Sequence, residues 1–468
     1  MSSFVGAFEA RQVNMVGRVN ASYHEDLEQA RLALMNRQVR AYWGDAPQPL
    51  LTLPGSPNDN VNSNKARYVV DKGAQAILGN VPRFDELIEG RTDPTSTTPA
   101  EQVLMDLWAQ PKMQAFAMNL ATMGGVTGDV FLKVLEPAGP GRPPRVNLID
   151  TANIAAYTDA EDCEQVNEFC IIWQAFDHER RRLNLRKQEV IRQATFPDGS
   201  ERWTLQDFIL MPPGSKWQPM TAPILWGHPW SPILHCQNLP APCSYYGRAD
   251  LTPDVLDLVA ARSGILSHLK RIIRIHAHPK TIASGVNDLN IEAGVDGLIL
   301  LQSPDAKMYN LEMASDLSSS LATLAKIDDD LYALTAIPPI TTGKVETAGE
   351  LSGLALQILY GPLVAQTNVK RATYGGLIQE LNSRLLELSG VPVPPMTTTW
   401  QEFVPVSEPE RLAGAQSKIA IGVSKATVLT ELGYDAEDEL TKSGKEHEQA
   451  MELETAAGAA LARAMDRS

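Results

Sequence analysis

The sequence predicts an α+β fold that is predominantly helical, and three observations lead to this prediction. Segments in the first and last thirds carry apolar residues at three- and four-residue steps, which is typical of amphipathic helices. The middle, from Gly128 to about Gly247, consists instead of short β-type runs between Pro- and Gly-containing turns, as in an antiparallel sheet. Beyond the sheet region, two helical patterns enclose a short excursion rich in Gly.

Three helices are predicted before the sheet region. The first begins at the capping box of residues 22–25 and ends at Gly44. The second spans Asn64 to Leu78 and ends before Gly79 and a following proline. The third begins at Thr98, and its apolar pattern predicts one continuous helix with these side chains inward: Leu104, Leu107, Trp108, Phe116 and Leu120.

The sheet region contains five candidate strands. The glycine-rich run 124–128 leads from a helix into a strand, which is the reverse of the order in a dinucleotide fold, so we interpret it as a turn. The strands are Val130–Leu135, Val146–Ile149, Phe169–Phe176, Val190–Phe196 and Trp203–Leu210.

Two amphipathic helices, 252–277 and 316–336, are predicted to form an αα-hairpin. Between them, residues 278–314 offer only brief strands, at 281–283, 298–301 and 307–311, so the hairpin should carry a small tip. The first helix is basic at its far end, and the second has a near-heptad of leucines.

The rest of the chain begins with Ile337-Pro338-Pro339-Ile340 and a Gly/Thr loop. One long helical pattern then runs from Glu350 to Leu388, and Pro362 inside it predicts a kink near residues 358–362. A strand at 397–403, a helix at 408–421 and a short capped helix within 423–434 follow, before a weakly packed acidic tail.

Charge and composition exclude several classes of protein. With 41 basic and 56 acidic residues the formal net charge is −15, which disfavours tight nonspecific DNA binding but lets a duplex slide past. No stretch is long and apolar enough for a membrane helix, and the N-terminal residues do not form a targeting signal, so we expect a cytoplasmic protein. The 4 cysteines, spaced CxxxxxxC in two pairs, are expected to be reduced thiols and mostly buried.

No catalytic, cofactor or metal site is predicted. Gly343-Lys344 and Gly444-Lys445 lack the glycine spacing of a phosphate loop. The histidines His268, His276 and His278 are interpreted as helix-end groups rather than metal ligands, and the acidic run 328–330 as a solvated helix face. The run 226–232, rich in Trp and Pro, is interpreted as loop packing.

Several local patterns, taken in order, resemble the siphophage-type portal proteins of tailed bacteriophages over most of the chain. Each pattern is weak, but their order and spacing together are fairly specific. They are the run from Asn64 to Pro82, Gly128–Leu132, the pair of runs 235–238 and 247–251, Ser352–Leu356, and Val423–Tyr434. The second run of the pair has Ala249 where the family more often has serine.

The resemblance implies a portal fold: a ring of about twelve subunits with wing, stem, clip and crown regions, at one capsid vertex of the virion, assembled in the host cytoplasm. It divides the chain into a wing at 1–250, stem helices at 251–277 and 316–337, a clip at 278–315, a tunnel loop at 338–350, a long kinked helix and wing return at 351–400, and a crown at 401–468. It implies no cofactor, no enzymatic activity and no membrane.

The resemblance also suggests roles for particular residues. Thr341, Thr342, Lys344 and Glu346 would face DNA in the channel, and Asn287, Asp288, Asp305 and Lys307 would dock the terminase large subunit. Other expected partners are the major capsid and scaffold proteins, head-completion or adaptor proteins, and double-stranded DNA. The subunit interface of the stem would be formed by Leu258, Leu266, Leu269, Ile273, Leu321, Leu324 and Leu331.

Two alternatives remain open from the sequence. The first is another head or neck structural protein, such as an adaptor or minor head protein with a helical domain. The second is a cytosolic hydrolase that uses His228, His235 and nearby acids, and it predicts a deep pocket in the monomer.

Overall fold

A computed structural model gives the fold of the chain. The structure describes residues 22–45, 48–52, 54, 57–87, 97–137, 139, 142–159, 161–178, 181–193, 202–211, 216–277, 281–284, 307–310, 317–343, 353–401, 404, 408–434, 436 and 439–445. The fold is mixed, 51% helical and 21% strand, which confirms the predicted α+β class with helix predominating.

The chain divides into two compact units. The larger comprises Met1–Glu86, Pro99–Lys344 and Pro362–Gln401, and the smaller comprises Leu87–Thr98, Val345–Gly361 and Glu402–Ser468. The predicted division into wing, stem, clip and crown is a different partition, and it stays a prediction.

The first two helices are α1, Ser22–Tyr42, and α2, Lys65–Leu78. Gly44, with a φ of 81°, follows α1 as predicted. The side chain of Asn64 accepts a hydrogen bond from the backbone of Arg67 and so caps α2. The apolar face predicted for α2 is buried. These local signals therefore gave the correct helix boundaries.

The predicted third helix is two helices, α3, Pro99–Trp108, and α4, Pro111–Thr127. Pro111 occupies the first turn of α4, where its missing N–H costs nothing, but it could not have continued α3. The single-helix prediction was wrong for this reason. A short strand, β1 (Arg83–Glu86), precedes α3 and pairs with β13 (Met396–Thr399) in antiparallel register.

The glycine run 124–128 is not a free turn, so that interpretation was also wrong. Gly124 and Gly125 lie in the last turn of α4, and only Gly128, with a φ of 90°, adopts the left-handed conformation that ends the helix. The chain enters strand β2 directly afterwards.

A three-stranded antiparallel sheet forms around β2, Asp129–Leu135. Its neighbours are β3, Arg145–Ile149, and β10, Ile233–Gln237, which was not predicted. The strand is buried on both faces. Leu132 and its even-numbered neighbours pack against α3, α4 and the long helix α7 (Gly353–Leu388), whereas Phe131 packs against the second sheet.

The second sheet has six strands, in the order β4-β5-β6-β7-β8, with β9 also paired to β7. The pairings are antiparallel, which confirms the predicted class of sheet, but the strand region forms two sheets and not one. These strands are β4 Ile154–Thr158, β5 Val166–Asp177, β6 Arg182–Gln193, β7 Arg202–Leu210, β8 Gln218–Pro219 and β9 Ile224–Leu225.

The two predicted hairpin helices are present as α5, Pro253–Ala277, and α6, Ser318–Thr335. Between them, β11 (Thr281–Ser284) and β12 (Lys307–Asn310) form an antiparallel pair. The third predicted strand there, 298–301, lies outside the described residues. Pro362 lies inside α7 as predicted, and the kink there stays a prediction.

In the smaller unit, the structure describes helices α8, Glu408–Ala420, and α9, Lys425–Leu432. Ser424 caps α9 through a hydrogen bond to the backbone of Thr427, and Gly433 ends it with a φ of 91°. Among the described helices, none combines the length and apolarity that crossing a bilayer requires. All 4 cysteines are free thiols, with Cys170 and Cys236 buried and the other two exposed.

Candidate functional site: the hairpin of α5 and α6 and its buried base

Helices α5 and α6 pack against each other through a charged contact at mid-length. The guanidinium group of Arg262 donates two hydrogen bonds to the carboxylate of Asp328, at 2.7 and 3.3 Å. Lys65, at the start of α2, lies 3.8 Å from the same carboxylate and donates to the hydroxyl of Tyr332 at 3.1 Å. The N-terminus of α2 therefore supports the side of the hairpin.

The basic end of α5 is bound within the chain. Arg274 donates two hydrogen bonds to Asp59, at 2.9 and 2.6 Å, and Arg271 lies 3.5 Å from the same carboxylate. The Asp59 side chain is only 1% exposed. The hydrogen bond from Arg274 lowers the pKa of Asp59 below its usual range. This basic cluster fixes the loop before α2 to the hairpin instead of forming a free cationic surface.

The residues predicted for the subunit interface have three different environments. Leu269 and Leu331 are buried within the chain, at 7% and 2% exposure, so they stabilise the hairpin itself. Ile273 and Leu321 are more than half exposed, as is Leu334 at 53%. The half-buried residues are Leu258, Leu266 and Leu324. Fewer residues are therefore available to contact a second chain than the sequence predicted, because Leu269 and Leu331 are buried within this one.

The segment after α6 turns sharply beside α2. A 3₁₀ turn, Pro339–Thr342, ends at Gly343. Gly343 has a φ of 76°, a left-handed conformation that glycine adopts without strain because it has no β-carbon. The Thr341 hydroxyl donates to the carbonyl of Pro338 at 2.7 Å and contacts the hydroxyl of Tyr68. Of the two predicted channel threonines, Thr341 is half-buried and Thr342 is exposed.

Several predicted site residues fall outside the described residues. In the predicted tunnel loop these are Lys344 and Glu346, and in the predicted clip they are Asn287, Asp288 and Asp305. Lys307 is the first residue of β12 and pairs across the strands with Ser284. Their roles stay predictions.

The base of the hairpin is formed by a buried polar cluster, which we call the polar node and define as Asn238, Asp250, Lys370 and Tyr374. The ammonium group of Lys370 lies 2.7 Å from the Asp250 carboxylate, and both side chains are 5% exposed. Asn238 donates to Asp250 at 3.0 Å and accepts from the Tyr374 hydroxyl at 3.1 Å. The node joins α7 to the segment that leads into α5.

Burial controls the protonation of the node's phenol. It raises the pKa of Tyr374 well above its ordinary value, so the hydroxyl keeps its proton and can donate to Asn238. Both amide hydrogens of Asn238 are then used, since the group also donates to the carbonyl of Arg248. A fully paired buried network of this kind specifies one arrangement of the elements that it joins.

Glycines on α2 and α4 leave the space that the side chains of the polar node occupy. A β-carbon at Gly124 would lie 1.9 Å from the Tyr374 hydroxyl, and one at Gly125 would lie 2.9 Å from the Asp250 carboxylate. Gly73 on α2 approaches that carboxylate similarly, at 3.1 Å. The glycines at the end of α4 are therefore needed for close packing against α7 and the start of α5.

The candidate hydrolase residues have separate partners. His235 is bonded to the buried Asp129 at 2.9 Å and stacks on Tyr245 with a centroid distance of 4.3 Å, so it belongs to the core. His228 lies beside an open groove of about 760 Å³ and contacts Glu387. Each histidine thus contacts a different carboxylate, His235 in the core and His228 beside the groove. The groove is open and is not the deep pocket that the hydrolase hypothesis predicts.

Two of the three aspartates in the acidic run 328–330 on α6 form ion pairs. Asp328 binds Arg262, and Asp330 binds Lys326 at 2.8 Å on the helix surface. In the part of the chain that the structure describes, no group of three or more His, Cys, Asp or Glu side chains could hold a metal ion. The structure describes His268, which is exposed on α5; the side chains of His276 and His278 lie outside the described residues.

The sequence indicated only part of this site. The resemblance singled out the runs containing Asn238 and Asp250, but nothing in the sequence paired them with Lys370 or Tyr374, which lie 120 and 136 positions away. One signal was available: the glycine pair 124–125 near a helix end indicates a close approach of other groups.

Comparison with known proteins gives low similarity. No family model matches the chain, and no curated protein matches it. Among solved structures, the neck of an empty gene transfer agent particle, computed with C6 symmetry, gives 16% identity and a TM-score of 0.46, covering 79% of this chain and 89% of that chain. The neck of the native particle, computed with C12 symmetry, gives 16% identity and 0.45 over the same shares. The virion of the native gene transfer agent particle gives 15% identity and 0.46, covering 86% of this chain and 99% of that chain.

Proposed function

We propose that the chain is a portal subunit, a non-enzymatic component of a ring at one capsid vertex through which double-stranded DNA is packaged and ejected. One observation carries the proposal: the paired helices α5 and α6 leave bulky apolar side chains uncovered. Ile273, Leu321 and Leu334 are each more than 50% exposed, although the same helices bury other leucines. A neighbouring chain that covered these side chains would remove their apolar surface from water, which would stabilise an assembly.

A ring accounts for the uneven burial of the hairpin. In a cyclic oligomer each subunit presents one surface to one neighbour and a different surface to the other, so both sides of a hairpin can be covered. The order of elements supports the same assignment: helix, small β pair, helix, sharp turn and long helix follow one another as the portal resemblance implies.

Under this proposal the regions keep the functions expected of them. The stem comprises 251–277 and 316–337, the clip 278–315 and the tunnel loop 338–350. The wing comprises 1–250 with the return at 351–400, and the crown 401–468.

The partners proposed are other copies of the chain in a ring of about twelve, the terminase large subunit at the clip, and capsid and scaffold proteins around the wing. Head-completion or adaptor proteins would follow once DNA is inside. The net charge of −15 supports a duplex that slides and is not gripped, because tight binding depends on neutralising phosphates. Thr342 and Lys344 would then contribute local contacts only.

The direct test is the mass and shape of the purified full chain at micromolar concentration, by native mass spectrometry and negative-stain electron microscopy. A closed ring with an axial hole is expected. Leu321→Glu should dissociate it, because a carboxylate would be buried at the seam. Met105→Glu is the matched control, since Met105 is 53% exposed on α3 against 55% for Leu321 and lies outside the hairpin.

Two outcomes contradict the proposal: a stable monomer or dimer of the unmodified chain, and rings of Leu321→Glu as stable as those of the control. Another head or neck structural protein, such as an adaptor, is the remaining alternative. It would give an assembly without the mushroom-shaped profile that a portal ring shows in side view.

A further inference from the structure

His228 lies between two carboxylates at the edge of the open groove. Its Nδ1 atom is 3.0 Å from Glu387 Oε1, a hydrogen-bonding distance, and its Nε2 atom is 3.6 Å from Glu136 Oε1. The three residues come from distant parts of the larger unit: the end of β2, the loop before β10, and the last turn of α7.

Glu387 is held so that it orients the imidazole ring. Its second oxygen accepts a hydrogen bond from the indole nitrogen of Trp230 at 2.9 Å. The ring of His228 stacks on that of Trp230, with centroids 4.6 Å apart and planes at 19°. Because an ionised carboxylate only accepts hydrogen bonds, Nδ1 donates to Glu387, and Nε2 is the ring nitrogen on the side of Glu136.

The pair formed by Nε2 and Glu136 has the spacing of two ligands on one ion. A gap of 3.6 Å between Nε2 and the Glu136 carboxylate is too long for a good hydrogen bond. Zinc–nitrogen and zinc–oxygen distances of about 2.0–2.1 Å at a tetrahedral angle separate the two ligand atoms by about 3.4 Å. A carboxylate bonded to the other ring nitrogen is also the usual support of a metal-binding histidine.

We propose that His228 Nε2 and Glu136 form a binding site for a divalent transition-metal ion of the zinc class, with Glu387 orienting the histidine. An imidazole and a carboxylate favour such ions over magnesium or calcium. Since no third metal-binding side chain joins them among the described residues, the remaining positions would be filled by water from the groove or by a group on a bound partner. The proposal does not depend on the portal assignment.

Zinc titration by isothermal calorimetry on the full chain tests the site. The protein should carry no polyhistidine tag, and the exposed Cys163 and Cys243 should be replaced by serine so that thiols do not compete. We expect one ion per chain. His228→Gln should abolish that binding, and Glu387→Gln should weaken it by about 10- to 100-fold, as the loss of an orienting carboxylate does elsewhere.

His268→Ala is the matched control, because it removes an exposed histidine on α5 and should leave the titration unchanged. Glu136→Gln should weaken binding by at least tenfold, with thermal unfolding curves confirming that each variant is folded. The proposal is overturned if the parent protein binds no stoichiometric zinc, or if His228→Gln binds it as the parent does. Absorption spectra of the cobalt-bound protein, recorded for the same variants, test independently whether a nitrogen atom binds the metal ion.

Discussion

Lys370 and Asp250 in the polar node are both 5% exposed, whereas in the pair that fixes the end of α5, Arg274 is 41% exposed and Asp59 1%. The node is closed: its charges, amide and phenol satisfy one another inside a single chain. The hairpin is only half closed: an ion pair between Arg262 and Asp328 joins its helices at mid-length, but Ile273, Leu321 and Leu334 are each more than half exposed. The node thus needs no neighbouring chain, whereas in the proposed ring a neighbour would cover the exposed side chains of the hairpin.

Among the substitutions that test this comparison, Lys370→Met should have the largest effect on the free energy of unfolding. The change strands the Asp250 carboxylate in the interior, and loss of one partner of a buried ion pair costs about 3–5 kcal/mol of unfolding free energy. Denaturant midpoints measure it. The control is Lys326→Met, which removes a surface pair with Asp330 and should cost less than about 1 kcal/mol. Equal losses of unfolding free energy in the two variants would show that the buried ion pair of the node contributes no more than a surface pair, and would contradict the comparison.

Gly124→Ala should have the next largest effect. Its β-carbon would lie 1.9 Å from the Tyr374 hydroxyl, so α4 and α7 must separate or the phenol must move, at a cost of about 1–3 kcal/mol. Adding Tyr374→Phe removes the clashing oxygen and should recover part of the loss in thermal unfolding experiments. Strictly additive destabilisation in the double variant would mean that the two side chains do not meet.

The smallest effect is expected at the pair of Arg274 and Asp59, because Arg274 is 41% exposed and the carboxylate keeps Arg271 as a second partner; this effect depends on pH. Because the folded pKa of Asp59 is lowered, its contribution is present above the ordinary aspartate value of about 3.9 and is lost as pH falls through the folded value. Arg274→Met should therefore lower the melting temperature at neutral pH, less than Lys370→Met does, and the difference from the parent protein should shrink below about pH 4. A difference that is constant down to pH 2 would contradict this assignment.

The sequence predicted the local structure well and the long-range contacts poorly. Caps at Asn64 and Ser424 and glycines at 44 and 433 act within one helical turn, so their patterns are readable in one dimension. The break at Pro111 was missed because the apolar pattern continues across it. The site was harder still, because Lys370, the ion-pair partner of Asp250, lies on a helix that begins 103 positions later, and no spacing rule connects the two residues.

The β11–β12 pair has a consequence for variation among related chains. Thr281 and Asn310 are register partners, so the chain leaves and returns at adjacent positions of one small ladder. A segment whose ends are already held together can change in length or be exchanged at little entropic cost to the remainder of the molecule. Insertions or deletions within residues 285–306, which connect the two paired strands, should therefore cost the rest of the molecule little free energy of unfolding.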